Sequence, residues 1–162
     1  MMIYWYQQIK EVETSRLIMI NRGVNMETYK QLKERHQKEF NDLPLFFAFN
    51  DEQFEKGLAK VNATKDTKIV RLNAGCYIKK SDVEKLNSLL KQHEKEHLYN
   101  MTISDDYIYH MMMYELANRE FVYSRDLNEV LNECIPDKAI DEVPHLHIII
   151  DKAVKDYIEK VG

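Results

Sequence analysis

Glycine, proline and cysteine are scarce in this chain, and long apolar runs are absent. Only four Gly and three Pro occur in 162 residues, so loops of the glycine-rich kind that cradle phosphates are hard to build. The nucleotide-binding patterns G-x-x-x-x-G-K-[ST] and G-x-G-x-x-G and the hydrolase pattern G-x-S-x-G are all missing. These absences argue against the common nucleotide-binding and serine-hydrolase classes.

The two cysteines, Cys76 and Cys134, form no C-x-x-C pair. This usage argues against a disulfide scaffold or a zinc knuckle and fits a reducing compartment. The N-terminus lacks a basic segment followed by a long apolar run, so no signal peptide is expected. The longest apolar stretches, residues 43–49 and 146–150, are much shorter than the roughly 20 residues that span a bilayer. We therefore expect a cytoplasmic protein with no membrane partner.

The chain is slightly acidic. It has 23 Lys and Arg against 27 Asp and Glu, which gives a net charge of −4. A dedicated nucleic-acid binder carries a basic excess, and a DNA mimic needs a far denser acidic one. Direct nucleic-acid binding is therefore not expected. With 44% hydrophobic and 31% charged residues, the chain is suited to one domain with a proper core.

The apolar periodicity predicts an α+β fold, a mostly helical single domain over residues 1–162 with a small antiparallel sheet. Residues 2–9 suggest an edge strand that pairs with Leu17–Ile20 in a hairpin, and a helix over 7–20 is the alternative. Strands are predicted at 45–49, 68–72 and 76–78. Helices are predicted from Asn25, after Asn50, from Ser81 to about Asn100, from Ser104, from Ser124 or Asp126 to Pro136, and after Pro144 over 144–161.

One stretch, His93-Glu94-Lys95-Glu96-His97, matches the H-E-x-x-H pattern of zinc hydrolases. Two histidines four apart on a helix share a face and can bind Zn²⁺, and the Glu between them can activate a bound water. The two middle positions are charged, however, where zinc hydrolase helices usually carry apolar or small residues. Position 103, where the longer pattern needs a third His, is Ile103. The favoured interpretation is a solvated helix without metal, and a metal site at His93 and His97 is kept as the alternative.

The helix predicted after Ser104 is rich in tyrosine and methionine. Tyr and Met are common in protein-binding patches, and acidic neighbours would repel phosphates and favour a protein partner. Ordinary core packing explains the same pattern, and for the run Met111–Met113 it is the favoured interpretation. The candidate partner-binding residues are Asp105, Asp106, Tyr107, Tyr109 and Met113.

Three stretches together resemble an uncharacterised family of small proteins carried by phages, plasmids and conjugative elements of Gram-positive bacteria. They are residues 45–54 (LFFAFNDEQF) with Gly57, residues 75–82 (GCYIKKSD) and residues 114–121 (YELANREF). The resemblance covers residues 25–135, although those relatives are expected to have a more glycine-rich turn at 73–75. That family has no assigned activity, so no catalytic residues can be carried over from it, and no cofactor is expected. The resemblance implies a bacterial host cell and a class of proteins that includes anti-CRISPR inhibitors.

The leading hypothesis is therefore a non-catalytic inhibitor from a phage or mobile element, similar to anti-CRISPR proteins. It would bind a host protein such as a Cas nuclease effector and block it. Two alternatives are a zinc-dependent hydrolase that uses the H-E-x-x-H helix and a nucleic-acid-binding accessory or regulatory protein of the mobile element. A homodimer is compatible with all three.

Overall fold

The structure, a computed structural model, describes residues 26–161. The hairpin or helix predicted within residues 1–22 lies outside the described residues. Most described residues are helical, and the strands form one three-stranded antiparallel sheet, so the predicted α+β class is confirmed. The chain divides into two compact units. The sheet unit comprises residues 33–95, and the helical unit comprises residues 26–32 together with 96–161.

The elements follow one another in a single order along the chain. They are α1 (Tyr29–Asn41), β1 (Leu45–Phe47), α2 (Asp51–Lys60), β2 (Ile69–Arg71), β3 (Cys76–Lys79), α3 (Val83–Ile103), α4 (Asp105–Asn118), α5 (Phe121–Ser124), α6 (Leu127–Cys134), α7 (Asp137–Glu142) and α8 (Leu146–Val161).

In the sheet unit, β3 lies between β1 and β2, and Ile78 of β3 pairs with Leu45 on one side and Val70 on the other. Because side chains alternate along a strand, the sheet has two different faces. On one face, Leu45 and Ile78 are buried together with Leu86 of α3. On the other face, Phe46 is buried together with residues of α2. Gly57 lets α2 approach closely, since a Cβ there would lie 1.9 Å from the Phe46 ring.

The helical unit is built around α4. Ile108, Met111, Met112 and Leu116 are each 0% exposed, and α4 packs against α8, α6 and α5. Burial from several sides explains how two adjacent methionines can both be inside, although neighbouring positions on a helix point about 100° apart. Met113 is half-buried and packs against the same core. Core packing thus accounts for the methionine run.

Three predicted helix starts are confirmed by their caps. The side chains of Asn50, Ser104 and Asp126 accept hydrogen bonds from backbone N–H groups in the first turns of α2, α4 and α6. The start predicted at Ser81 differs, since a single 3-10 turn at Lys80–Asp82 precedes α3. None of the helices in residues 26–161 has the length and apolar content to cross a membrane.

Candidate functional site

The first turn of α4 presents two exposed carboxylates, Asp105 and Asp106. They lie at a helix N-terminus, where the helix dipole stabilises negative charge. The imidazole of His145, the residue before α8, donates from Nε2 to Asp105 Oδ1 at 2.8 Å. His145 is itself about half exposed, so this contact leaves the acidic end of α4 accessible to a partner.

Tyr109 and Met113 continue the line that begins at Asp105, at intervals of four residues, and so share one side of α4. Both are half-buried. The Tyr109 hydroxyl donates to Asp156 at 2.9 Å, and this hydrogen bond raises the pKa of the tyrosine. Lys152 Nζ lies 5.0 Å from the ring centroid. We call Asp105, Asp106, Tyr109 and Met113 the α4 stripe.

Tyr107 does not join the α4 stripe, because it is only 3% exposed. Its hydroxyl lies 2.8 Å from His97 Nδ1, and His97 Nε2 lies 2.8 Å from the carbonyl of Cys134. A carbonyl only accepts, so Nε2 carries the hydrogen and Tyr107 donates to Nδ1. Burial also raises the pKa of Tyr107. The structure therefore places this residue in the core, where a partner cannot reach it.

The two histidines of the H-E-x-x-H stretch lie on α3 but have different partners. His93 Nε2 donates to Glu39 at 2.7 Å, and its ring stacks on His36 with 3.7 Å between centroids. The hydrogen bond from His93, followed by that from Arg35, lowers the pKa of Glu39. Within residues 26–161 no group of three His, Cys, Asp or Glu side chains is arranged to hold a metal ion. In this arrangement both ring nitrogens of His97 are already occupied by hydrogen bonds.

The helical unit contains a buried polar pair that was not predicted from the sequence. Glu115 is 0% exposed, and Tyr29 donates to its Oε1 at 2.7 Å across 86 positions of sequence. Asn118 also donates to Glu115, at 3.4 Å. A signal existed in the spacing, since Glu115 follows Met111 by four residues and Met112 by three and so falls on the buried side of α4.

The charges are divided unequally along the chain. Residues 33–95 carry 13 Lys and Arg against 10 Asp and Glu, a net charge of +3, whereas residues 96–162 carry 6 against 14, a net charge of −8. The modest charge of the whole chain hides this difference. The acidic excess belongs to the stretch that contains the α4 stripe.

The sheet unit carries the other notable surface. Phe47 is 51% exposed and Phe49 is 77% exposed, although residues 45–49 read as a buried strand in the sequence. The strand ends at Phe47, and of its two large aromatic side chains only Phe46 is buried. Single exposed apolar residues are ordinary, but here one large exposed ring ends the edge strand and a second follows two residues later, and a partner can cover both.

A protein-family model described as a family of unknown function (DUF7659) matches residues 28–156. The match covers all of the sheet unit and most of the helical unit. No curated protein and no solved structure matches the chain.

Proposed function

The chain belongs to this family of unknown function, and we propose that it is a non-catalytic inhibitor encoded by a phage or other mobile element. In this proposal it binds a host defence nuclease, such as a Cas effector, in the manner of anti-CRISPR proteins. The observation that carries the proposal is the net charge of −8 on residues 96–162, with exposed carboxylates at the start of α4.

Charge complementarity explains why such a surface suits a nuclease. An enzyme that holds nucleic acid lines its channel with Lys and Arg, and an acidic protein surface competes for the same groups. Complementary charge speeds encounter and disfavours wrong partners. Half-buried Tyr109 and Met113, beside Asp105, supply the aromatic and adaptable apolar contacts that are enriched in the cores of protein interfaces.

The test is a phage-restriction assay in Gram-positive bacteria that carry an active CRISPR–Cas system with a spacer against the challenging phage. Expression of the wild-type protein is expected to restore plaque formation. The variant Asp105→Lys/Asp106→Lys should lose this effect, because it reverses the charge of the α4 stripe. Failure to restore plaques against every nuclease effector type tested would overturn the proposal.

A matched control distinguishes the effect of the α4 stripe on inhibition from the effect of net charge. The variant Asp66→Lys/Glu84→Lys makes the same change of charge at two exposed positions of the sheet unit, and it should inhibit as the wild type does. Circular dichroism should show both variants folded, since reversing charge in the first turn of α4 costs only about 0.3–1 kcal/mol per residue. Equal loss of activity in both variants would show that the α4 stripe is not the contact surface.

A further inference from the structure

The outer edge of β1 has backbone groups that face away from the sheet. The N–H of Ala48 donates to the carbonyl of Gly75, on the β3 side, at 2.9 Å. Since N–H groups point alternately to the two sides of a strand, the N–H and carbonyl of Phe47 point to the open side. Among the strands of residues 26–161, β1 is an outer one, so these groups lie along the side of β1 that no described strand covers.

The donors on either side of Phe47 are already satisfied. The N–H of Leu45 donates to the carbonyl of Leu43 at 2.8 Å, and the N–H of Phe49 donates to Gln53 Oε1 at 2.8 Å. Phe47 lies opposite Cys76 in the register of β1 and β3, next to the bonded pair Ala48 and Gly75, so its N–H does not face β3. The edge therefore offers one complete backbone pairing position at Phe47, which an added strand can fill with two hydrogen bonds.

Apolar side chains accompany this pairing position. Phe47, the last residue of β1, is 51% exposed, and Phe49, two residues past the strand, is 77% exposed. A strand added at Phe47 places its own side chains beside the Phe47 ring, where cross-strand contacts with aromatic residues stabilise pairing. The edge thus combines backbone pairing with an apolar contact.

Exposed acidic residues flank the edge at both ends. Asp42 precedes β1, and Asp51 follows it at the start of α2. Glu52 is also exposed, but it forms an ion pair with Lys56 at 2.6 Å. A second copy of this chain, paired antiparallel and centred on Phe47, would bring Asp42 of each copy towards Asp51 of the other, at the start of α2. Like charges facing each other disfavour that arrangement, whereas Lys or Arg at the two ends of the added strand would be attracted.

We propose that the β1 edge binds an extended segment of a partner protein with an apolar, β-branched centre and Lys or Arg on both flanks. The segment adds antiparallel to β1 and exchanges hydrogen bonds with the backbone of Phe47. This inference deepens the proposed function, on which it rests, by giving the inhibitor a second contact in addition to the α4 stripe.

The test uses a synthetic peptide, Lys-Arg-Val-Thr-Val-Thr-Val-Arg-Lys, added to the full chain and followed by NMR amide exchange. At saturation, exchange of the Phe47 amide should slow by about tenfold or more. The Ala48 amide, which is already bonded to Gly75, serves as the internal control and should change little. Unchanged exchange at Phe47 would overturn the proposal.

Variants and control probes test the chemistry of the segment. Phe47→Thr/Phe49→Thr should weaken peptide binding about tenfold, a loss of about 1.4 kcal/mol, whereas Tyr123→Thr, at a position 83% exposed in the helical unit, should not. A peptide with Glu in place of Lys and Arg should bind more weakly. Equal binding of that peptide would contradict the charge argument.

Two other outcomes would show a different occupant of the β1 edge. If protection of the Phe47 amide grows with protein concentration in the absence of peptide, the edge binds a second copy of this chain. If single-stranded oligonucleotides bind at this edge, it is a nucleic-acid site.

The same variants separate this inference from the proposed function. If wild type restores plaques and Phe47→Thr/Phe49→Thr does so equally well, the edge contact is wrong and the proposed function stands. If the peptide binds at β1 but wild type never restores plaques, the edge stands as a peptide site and the proposed function fails.

Discussion

At the scale of single residues, the most demanding feature is the buried carboxyl group of Glu115. A carboxylate that leaves water must keep hydrogen-bond donors, or its burial costs several kcal/mol. Tyr29 supplies a donor at 2.7 Å, and Arg119, the residue that follows α4, adds a favourable charge. The Arg119 guanidinium also forms ion pairs with Glu129 and Glu133 of α6. Glu115 of α4 therefore interacts with α1 directly, through Tyr29, and with α6 indirectly, through Arg119.

The variant Tyr29→Phe tests this dependence. It removes the hydroxyl that donates to Glu115 and leaves the ring in place, so the free energy of unfolding should fall by about 1–3 kcal/mol. Urea denaturation followed by circular dichroism gives the value. Tyr123→Phe is the control, since that side chain is 83% exposed, and the change should stay within about 0.5 kcal/mol. Equal small effects in both variants would show that the buried bond contributes little.

Stability should also fall in alkali because of the same tyrosine. Burial, together with the hydrogen bond to Glu115, raises the pKa of Tyr29 well above its ordinary value, which is about 10. Below pH 10 both folded and unfolded chains keep the proton, so the full stabilisation is present. Above pH 10 the unfolded chain loses the proton while the folded chain retains it, and stability declines by up to about 1.4 kcal/mol per pH unit.

Urea midpoints between pH 8 and pH 11 measure this decline. Tyr29→Phe should make it shallower and not abolish it, because burial also raises the pKa of Tyr107. A midpoint that stays constant up to pH 11 would contradict the assignment.

At the scale of elements, sequence reasoning succeeded where a local signal decides the structure. Side chains that cap α2, α4 and α6 lie within three residues of the groups they bind, and apolar spacing shows the buried side of a helix. It failed where distant contacts decide. The helix α7, six residues long after Pro136, carries too short a pattern to be recognised. The exposure of Phe47 and Phe49 depends on which side of the sheet α2 covers, and no local pattern contains that information.

The cap of α6 offers a test in which the chain provides its own control. The sequence left Ser124 and Asp126 as alternatives, and the structure shows Asp126 Oδ1 accepting from the N–H groups of Asn128 and Glu129, at 3.0 and 3.2 Å. Asp126→Ala should therefore lower the free energy of unfolding by about 1 kcal/mol. Ser124→Ala should change it by less than about 0.5 kcal/mol. Thermal denaturation of both variants ranks them, and the reverse order would contradict the assignment.

At the scale of the whole molecule, the candidate site was only partly predictable. Asp105, Asp106, Tyr109 and Met113 have the exposed or half-buried positions that a contact surface needs, but Tyr107 lies in the core. Tyrosine fits both places, because its ring is apolar and its hydroxyl needs only one partner. That partner is His97, on another helix. The binding hypothesis therefore placed Tyr107 on the surface, and this contact with another helix is what the sequence could not show.

The division of charge leads to a prediction about the kinetics of binding. If residues 96–162, with a net charge of −8, meet a basic surface of the nuclease, long-range attraction speeds the encounter and salt screens it. Between 50 and 300 mM NaCl the association rate constant should fall by about tenfold, while the dissociation rate constant changes much less. Surface plasmon resonance with the captured nuclease measures both. Asp105→Lys/Asp106→Lys should associate more slowly at low salt and show a shallower salt dependence than Asp66→Lys/Glu84→Lys, which carries the same net charge. An association rate that is independent of salt would mean that the acidic stretch does not guide binding, and the contact would then depend on apolar groups alone.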